Sequence, residues 1–284
     1  MAERRPGVAD KRHVFRSLHD SGCFVIPNPW DIGTARYLQH LGFKALATTS
    51  AGFAFSRGLP DNAVVRDDVL AHIAAIVAAT DLPVNADFEG GFAHDPAGVA
   101  ESVRLCVATG VAGLSIEDST GEKDTPLYDL DHAVARIRAA RAAIDKSGED
   151  VILVGRAECF LVGRPDLDET VRRLRAYADA GADCLYAPGL RTRELIAAVV
   201  EAVAPKPVNV LMAAALGLTV SDLAALGARR ISVGSGLARL AFSAFMNAAK
   251  EIASEGRFDC FAGARPNAEL NAFFRDDVDT RSGT

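Results

Sequence analysis

The feature that most restricts this chain is a rhythm. Eight short apolar runs, at residues 23–27, 44–49, 82–87, 112–118, 151–158, 183–188, 206–211 and 229–234, alternate with segments of helical periodicity. Nearly continuous apolar strands suit a parallel sheet covered by helices, because an exposed antiparallel strand alternates more clearly. Helical patterns fall at 31–40, 66–80, 95–109, 129–146, 166–180, 192–203, 219–226 and 237–255, several opening beside an Asp or Thr that can cap free amides. Gly42, Gly110, Gly181 and Gly227 stand where a helix can end with positive φ before the next strand. Eight such units in about 230 residues average roughly 30 each, the spacing of a closed eight-stranded α/β barrel of the TIM (β/α)8 type. The rival is a doubly wound open sheet. Its nucleotide-binding forms lose support, because neither GxGxxG nor GxxxxGK[ST] follows the first strand.

Division of 284 residues by a typical domain of about 150 suggests two domains. The alternation instead predicts one barrel domain over residues 1–255, followed by a docking segment and tail over 256–284. In that segment FDCF and LNAFFR suggest docking, and DDVDTRSGT reads as a solvent-facing or disordered end. Lys plus Arg total 31 against 37 Asp plus Glu, so no strong basic field draws nucleic acid or anionic lipid. Five scattered cysteines without a CxxC pair fit a reducing compartment. With no secretory pattern and no apolar run near the roughly 20 residues that cross a bilayer, a soluble, cytoplasmic protein is expected.

Barrel chemistry belongs beyond the carboxyl ends of the strands, and polar residues collect there. Asn85, Asp87, Glu89, Gly90 and Gly91 follow the third strand; Glu117 and Asp118 end the fourth; Arg156 and Glu158 end the fifth. Asp87 and Glu89, two apart, share a face if the backbone is extended. Acids beside an arginine suit Mg²⁺ and an anionic substrate, one direct carboxylate sufficing when the others act through water. The plainer reading is that such acids cap helices, pair with Arg or face solvent. In the loop after the second strand, residues 48–61, Ser50, Ala51 and Gly52 can aim a hydroxyl and amides at a carboxylate or phosphate, and Asp61 can reach the substrate or start a turn. Asn209 interrupts an apolar strand, as pocket group or satisfied core amide. The six histidines form no HExxH or ligand cluster, Cys159 reads as an inert buried thiol, and Ser50 has no histidine base, which disfavours zinc and serine hydrolysis.

Taken together, PNPWD at 27–31, TTSAG at 48–52, DFEGGF at 87–92, SIED at 115–118, GRAE at 155–158 and PVNV at 207–210 resemble the isocitrate lyase and phosphoenolpyruvate mutase superfamily over residues 15–253. The resemblance is to its non-classical, carboxyvinyl-carboxyphosphonate phosphorylmutase-like branch. The resemblance implies a modified TIM barrel whose last helix is exchanged between subunits of a homodimer or homotetramer. It implies Asp87, Glu89 and Glu117 at Mg²⁺ (or Mn²⁺), with Asp87 direct. It places Ser50, Ala51, Gly52, Asp61, Arg156 and Asn209 at the substrate, and Arg156, Asp61 and Glu158 in catalysis. The sequence departs from familiar branches in two places. After Glu117 there is no KxCGH motif, hence no cysteine acid, and Ala187, Pro188 and Gly189 stand where phosphonate-processing relatives carry His, although Lys123 is present. The implied function is a Mg²⁺-dependent lyase acting on a small α-keto acid or dicarboxylate through an enolate-like intermediate, oxaloacetate decarboxylation being one candidate. The alternatives are a phosphonate mutase or hydrolase, an acyl C–C hydrolase, and a carboxylate-binding protein of weakened activity.

Overall fold

The computed structural model describes residues 5–282. Its strands are β1 (Phe24–Ile26), β2 (Leu46–Ala47), β3 (Val84–Ala86), β4 (Gly113–Glu117), β5 (Ile152–Arg156), β6 (Cys184–Tyr186), β7 (Val208–Leu211) and β8 (Arg230–Ser232), one within each predicted run. All pair in parallel, in the order β1-β8-β7-β6-β5-β4-β3-β2. The sheet is a nearly closed barrel, and polar groups bridge its β1–β2 seam. The Ala47 N–H donates to the Pro27 carbonyl at 3.0 Å. The Asn28 amide donates to the Thr48 carbonyl at 2.8 Å and accepts from the Val233 and Gly234 N–H groups at 2.9 and 2.8 Å. One side chain of the PNPWD segment thus ties β1, β2 and the end of β8 together.

Helix α1 (Val8–Leu18) precedes β1. The connections carry α2 (Ile32–His40), α3 (Ser50–Ser56), α4 (Arg66–Ala79), α5 (Pro96–Ala108), α6 (Leu130–Ser147), α7 (Leu167–Asp179), α8 (Arg193–Val203) and α9 (Val220–Ala225). Asp31, Asp95, Asp129 and Asp166 accept from the N–H three residues on at 2.7 to 3.0 Å, which sharpens these helix starts. Gly181 adopts φ 104, and a Cβ there would stand 2.6 Å from Arg141 Cγ, so both conformation and space require glycine. Valines, isoleucines and leucines fill the layer between strands and helices.

Three elements differ from expectation. The segment 48–61 is not all loop: Thr49 caps α3, its hydroxyl accepting from Gly52 N–H at 3.3 Å, while Ala51, Gly52 and Ala54 pack inward. Helix α1, unanticipated, plugs the amino-terminal end of the barrel. Phe15 is fully buried against Phe24, and a side chain at Gly113 would collide with its ring. The carboxyl-terminal residues through 282 are helical, with no buried side chain in α11, so of the two readings of this end it is the solvent-facing one that the helix fits. Pro6–Gly236 is one compact unit, and the described residues from Leu237 onward belong to a second. The second unit consists of α10 (Gly236–Glu255, whose first residue closes the barrel unit), a short 3₁₀ turn (Asp259–Gly263) and α11 (Asn267–Ser282). In α11 Arg281 pairs with Asp277 at 3.0 Å. No helix of the described residues is long and apolar enough to cross a membrane.

The plug contains a histidine held neutral. His19 is buried, its Nδ1–H donating to the Phe15 carbonyl at 2.7 Å. Burial, then the charges of Arg230, Arg16 and Arg229, push its pKa down to about 3. The unfolded chain takes up a proton near pH 6.5 while the native state does so only near 3, so stability present above 6.5 is lost as pH falls through that window. The slope from this group is about 1.4 kcal/mol per pH unit. Urea unfolding of wild type and His19→Gln at pH 7, 6 and 5 is expected to show the wild type losing stability faster. A pH-independent difference between the two would refute the effect.

Candidate active site

Strand register assembles the site. Cα partners run Glu117↔Arg156, Arg156↔Tyr186, Tyr186↔Asn209 and Asn209↔Arg230 across β4 to β8. Paired residues on neighbouring strands point to the same face, so all five side chains project to one side. Barrel strands are staggered, so a line of partners also travels along the barrel axis. It starts at the last residues of β4, β5 and β6 and ends at the first residue of β8.

Four of these residues, Arg156, Tyr186, Asn209 and Arg230, face a cavity of about 150 Å³, whose wall also includes Ser50, Ala51, Asp61 and Asp87. An engineered cavity of about that size admits benzene, so a compact acid of few heavy atoms is the scale of ligand that fits. At the mouth Arg156 Nη1 lies 3.2 Å from Asp87 Oδ1 and 3.0 Å from Glu117 Oε2, and its Nε donates to Glu158. The guanidinium also stands 5.2 Å from the Tyr186 ring centre. Burial works against its charge, but Glu117, Glu158 and Asp87 outweigh burial and raise the Arg156 pKa further. One guanidinium cannot neutralise so many acids. Burial therefore lifts Glu117 and Glu158 above the usual carboxylate range, against the pull of Arg156.

Backbone groups orient Asp87. Its Oδ2 accepts from Ser50 N–H at 3.0 Å, and its own N–H donates to Thr48 Oγ1 at 2.9 Å. Asp61 stands on the exposed rim of the same cavity as Ser50. Desolvation, aided by the charge of Asp87, still raises its pKa. Gly52 and Glu158 do not reach the cavity surface: the Gly52 amide serves the Thr49 cap, and Glu158 lies behind Arg156.

Asp87 and Glu89 do not share a face. The strand ends at Ala86 and Glu89 turns with φ 48, so the extended spacing fails. Glu89 opens instead onto a neighbouring cavity with Glu117, His94 and Tyr128. Burial and the charges of Asp87 and Asp61 push Glu89 up to about 8. Arg136, 1% exposed, ties the two acidic turns together: Nη1 donates to the Glu117 carbonyl at 3.0 Å, and Nη2 to the Gly90 and Ala93 carbonyls. Among the described residues no three His, Cys, Asp or Glu side chains converge as a ready cation cage. The donor chemistry fits a hard cation: Asp87 faces this cavity, as does Asp61, and would hold the ion directly, while Glu89 and Glu117, on the neighbouring cavity, would act across water.

Sequence reasoning singled out neither Tyr186 nor Arg230. The signal for Arg230 is the pair RR opening the last strand. Arg229 turns outward to the Gly22 carbonyl, and Arg230, next in a two-residue period, turns inward.

Fold and site define a barrel enzyme with an acid-ringed arginine at the carboxyl ends of its strands. The chain belongs to the phosphoenolpyruvate phosphomutase family, whose family model matches residues 15–253, and it is a lyase-type enzyme of the isocitrate lyase and phosphoenolpyruvate mutase superfamily. It is 34% identical to an uncharacterized protein of Mycobacterium tuberculosis over 260 residues, 91% of this chain and 95% of that one. A crystal structure of a candidate lyase/mutase from Burkholderia cenocepacia J2315 superposes with a TM-score of 0.91 at 51% identity, covering 94% of this chain and 97% of the other. Phosphonopyruvate hydrolase in complex with oxalate and Mg²⁺ superposes with a TM-score of 0.83 at 27% identity, covering 96% and 97%.

Proposed function

We propose that this enzyme cleaves a bond beside the carbonyl of a small α-keto acid or dicarboxylate, with Mg²⁺ at Asp87 and an enolate-like intermediate; oxaloacetate decarboxylation is one candidate. The observation that carries the reading is Arg156, set among Asp87, Glu117 and Glu158 at the mouth of a cavity of about 150 Å³. Mg²⁺ would supply Lewis acidity toward a carbonyl oxygen. The chain supplies the rest. Arg156, held in place by three acids and Tyr186, presents a fixed positive charge to the oxygen on which negative charge grows, a preorganised form of transition-state stabilisation. Ser50 and Ala51 line the side that receives the keto-acid end. No protein nucleophile is required: the Cys159 thiol is pushed up by burial, and the cavity wall around Ser50 includes no histidine among the described residues. In decarboxylation the electron pair of the breaking C–C bond passes into the carbonyl, CO₂ departs, and the enolate carbon later takes a proton to give pyruvate.

Lys123 lies on the exposed turn at residues 121–125, and no histidine follows β6 in the sequence. A coupled pyruvate assay over oxaloacetate, methylisocitrate and phosphonopyruvate, with Mg²⁺ or with EDTA, tests the proposal. Metal-dependent pyruvate release is expected, and Arg156→Ala is expected to lower kcat/KM by about 10² to 10³. No metal-dependent turnover on any of these acids would overturn the reading. Full activity in Arg156→Ala would refute the role given to that arginine.

A further inference from the structure

The cavity carries two guanidinium groups, and only one is neutralised. Arg156 at the mouth meets three carboxylates. Arg230, at the opposite end of the line of paired residues, lines the same cavity while only 3% exposed. Its Nε donates to Asn209 Oδ1 at 2.8 Å and its Nη1 to Asn85 Oδ1 at 3.2 Å. Nη2 makes no hydrogen bond, and no carboxylate pairs with Arg230, among the described residues. The ionisable groups around it add no negative charge at neutral pH. Burial raises the Cys184 thiol, Tyr186 is pushed up to about 12, and His19 is held neutral with a pKa near 3.

Buried charges are ordinarily paired, because desolvation without a counter-charge is costly. Here two amides aim the guanidinium instead of neutralising it. Asn209 is itself anchored by its Nδ2 donating to Ser232 Oγ at 2.9 Å, so its carbonyl oxygen is turned toward Arg230. A rigid fork of donors with an unused end, facing a small cavity, is the arrangement that receives a planar carboxylate.

We infer that Arg230 is a substrate-recognition residue, forming with Asn209 and Asn85 a second anionic subsite on the cavity floor, and that the substrate is a short dicarboxylate rather than a monoacid. The inference names the substrate class within the keto-acid or dicarboxylate reading of the mouth and rests on that reading, although the floor subsite stands on the surroundings of Arg230 alone. A monoacid would leave the buried guanidinium unpaired, which is how a polar site rejects a ligand lacking one group.

Titration calorimetry with succinate and butyrate in the presence of Mg²⁺ tests this without turnover, the two probes differing by one carboxylate. Wild type is expected to prefer succinate by about 10- to 100-fold. Arg230→Met is expected to abolish the preference with the butyrate affinity unchanged. Arg230→Lys, which keeps the charge but not the fork, should retain a reduced preference and carries the test if Arg230→Met does not fold. Equal or undetectable binding of both probes by wild type overturns the inference, as does an undiminished preference in either variant. Binding of 3-phosphonopropionate about 10-fold tighter than succinate would overturn the carboxylate assignment. Succinate preference without metal-dependent turnover would sink the proposed reaction and leave the floor subsite standing; turnover without the preference would do the reverse.

Discussion

Asp87→Ala is expected to reduce metal-dependent turnover by at least about 10³-fold, the rate equivalent of about 4 kcal/mol, with the fold retained. Asp87 is the acid that both faces the cavity and is oriented by groups outside itself, Ser50 N–H and Arg156. Its backbone N–H bond to Thr48 does not involve the side chain, so truncation leaves that link intact. Removing its charge also relieves a crowded field, since Asp87 contributes to the raised pKa of both Glu89 and Asp61. Thermal stability without Mg²⁺ is accordingly expected to be unchanged or slightly higher. Mn²⁺ binding followed by electron paramagnetic resonance separates ligand loss from other damage. Weakened Mn²⁺ binding in Asp87→Ala, with a smaller effect in Glu89→Gln, supports direct ligation. Normal Mn²⁺ binding with normal turnover would remove Asp87 from the metal site.

The second large effect concerns its neighbour in sequence to Glu117. Asp118→Ala is expected to cost about 3–5 kcal/mol of stability and to lower Tm by about 10 °C. Asp118 is 2% exposed. Its Oδ2 accepts from Arg173 Nη1 at 3.0 Å and from the Tyr177 hydroxyl at 2.5 Å, and its Oδ1 from Glu158 N–H at 2.8 Å. Truncation strands a buried guanidinium and a buried hydroxyl together, although Arg173 keeps Glu169 at 2.7 Å. Asp118→Asn, which preserves shape and one acceptor, should lose about half as much. Calorimetric unfolding of the three proteins decides it, and a loss below about 1 kcal/mol in Asp118→Ala would mean the network contributes nothing net. Because Asp118 also anchors the Glu158 amide beside Arg156, a fall in kcat should accompany the loss of stability.

Glu117 and Asp118 show where sequence reasoning stops. Both are acids at one strand end, and both suit a metal or an ion pair. The structure turns Glu117 to Arg156 at the mouth and Asp118 to Arg173 and Tyr177. Alternation along a strand says that neighbours diverge, but not which side holds the cavity. Likewise DFEGG announces acids near a tight turn, while the left-handed backbone at Glu89 decides that Asp87 and Glu89 open onto different cavities. The helix after β2 was hidden because SAGF reads as a flexible loop until Thr49 caps it.

What the sequence by itself determined is local and periodic: eight apolar runs, their capped helices, glycines at the joints, and the strand ends on which acids and Arg156 sit. Those features depend on a few neighbouring residues, so they survive without coordinates. Only the tertiary structure decided the register, and register is a relation between residues far apart in the chain. Arg230 lies 145 positions from Asn85 yet donates to it, because barrel stagger carries one line of paired residues from Glu117 at the mouth to Arg230 on the floor.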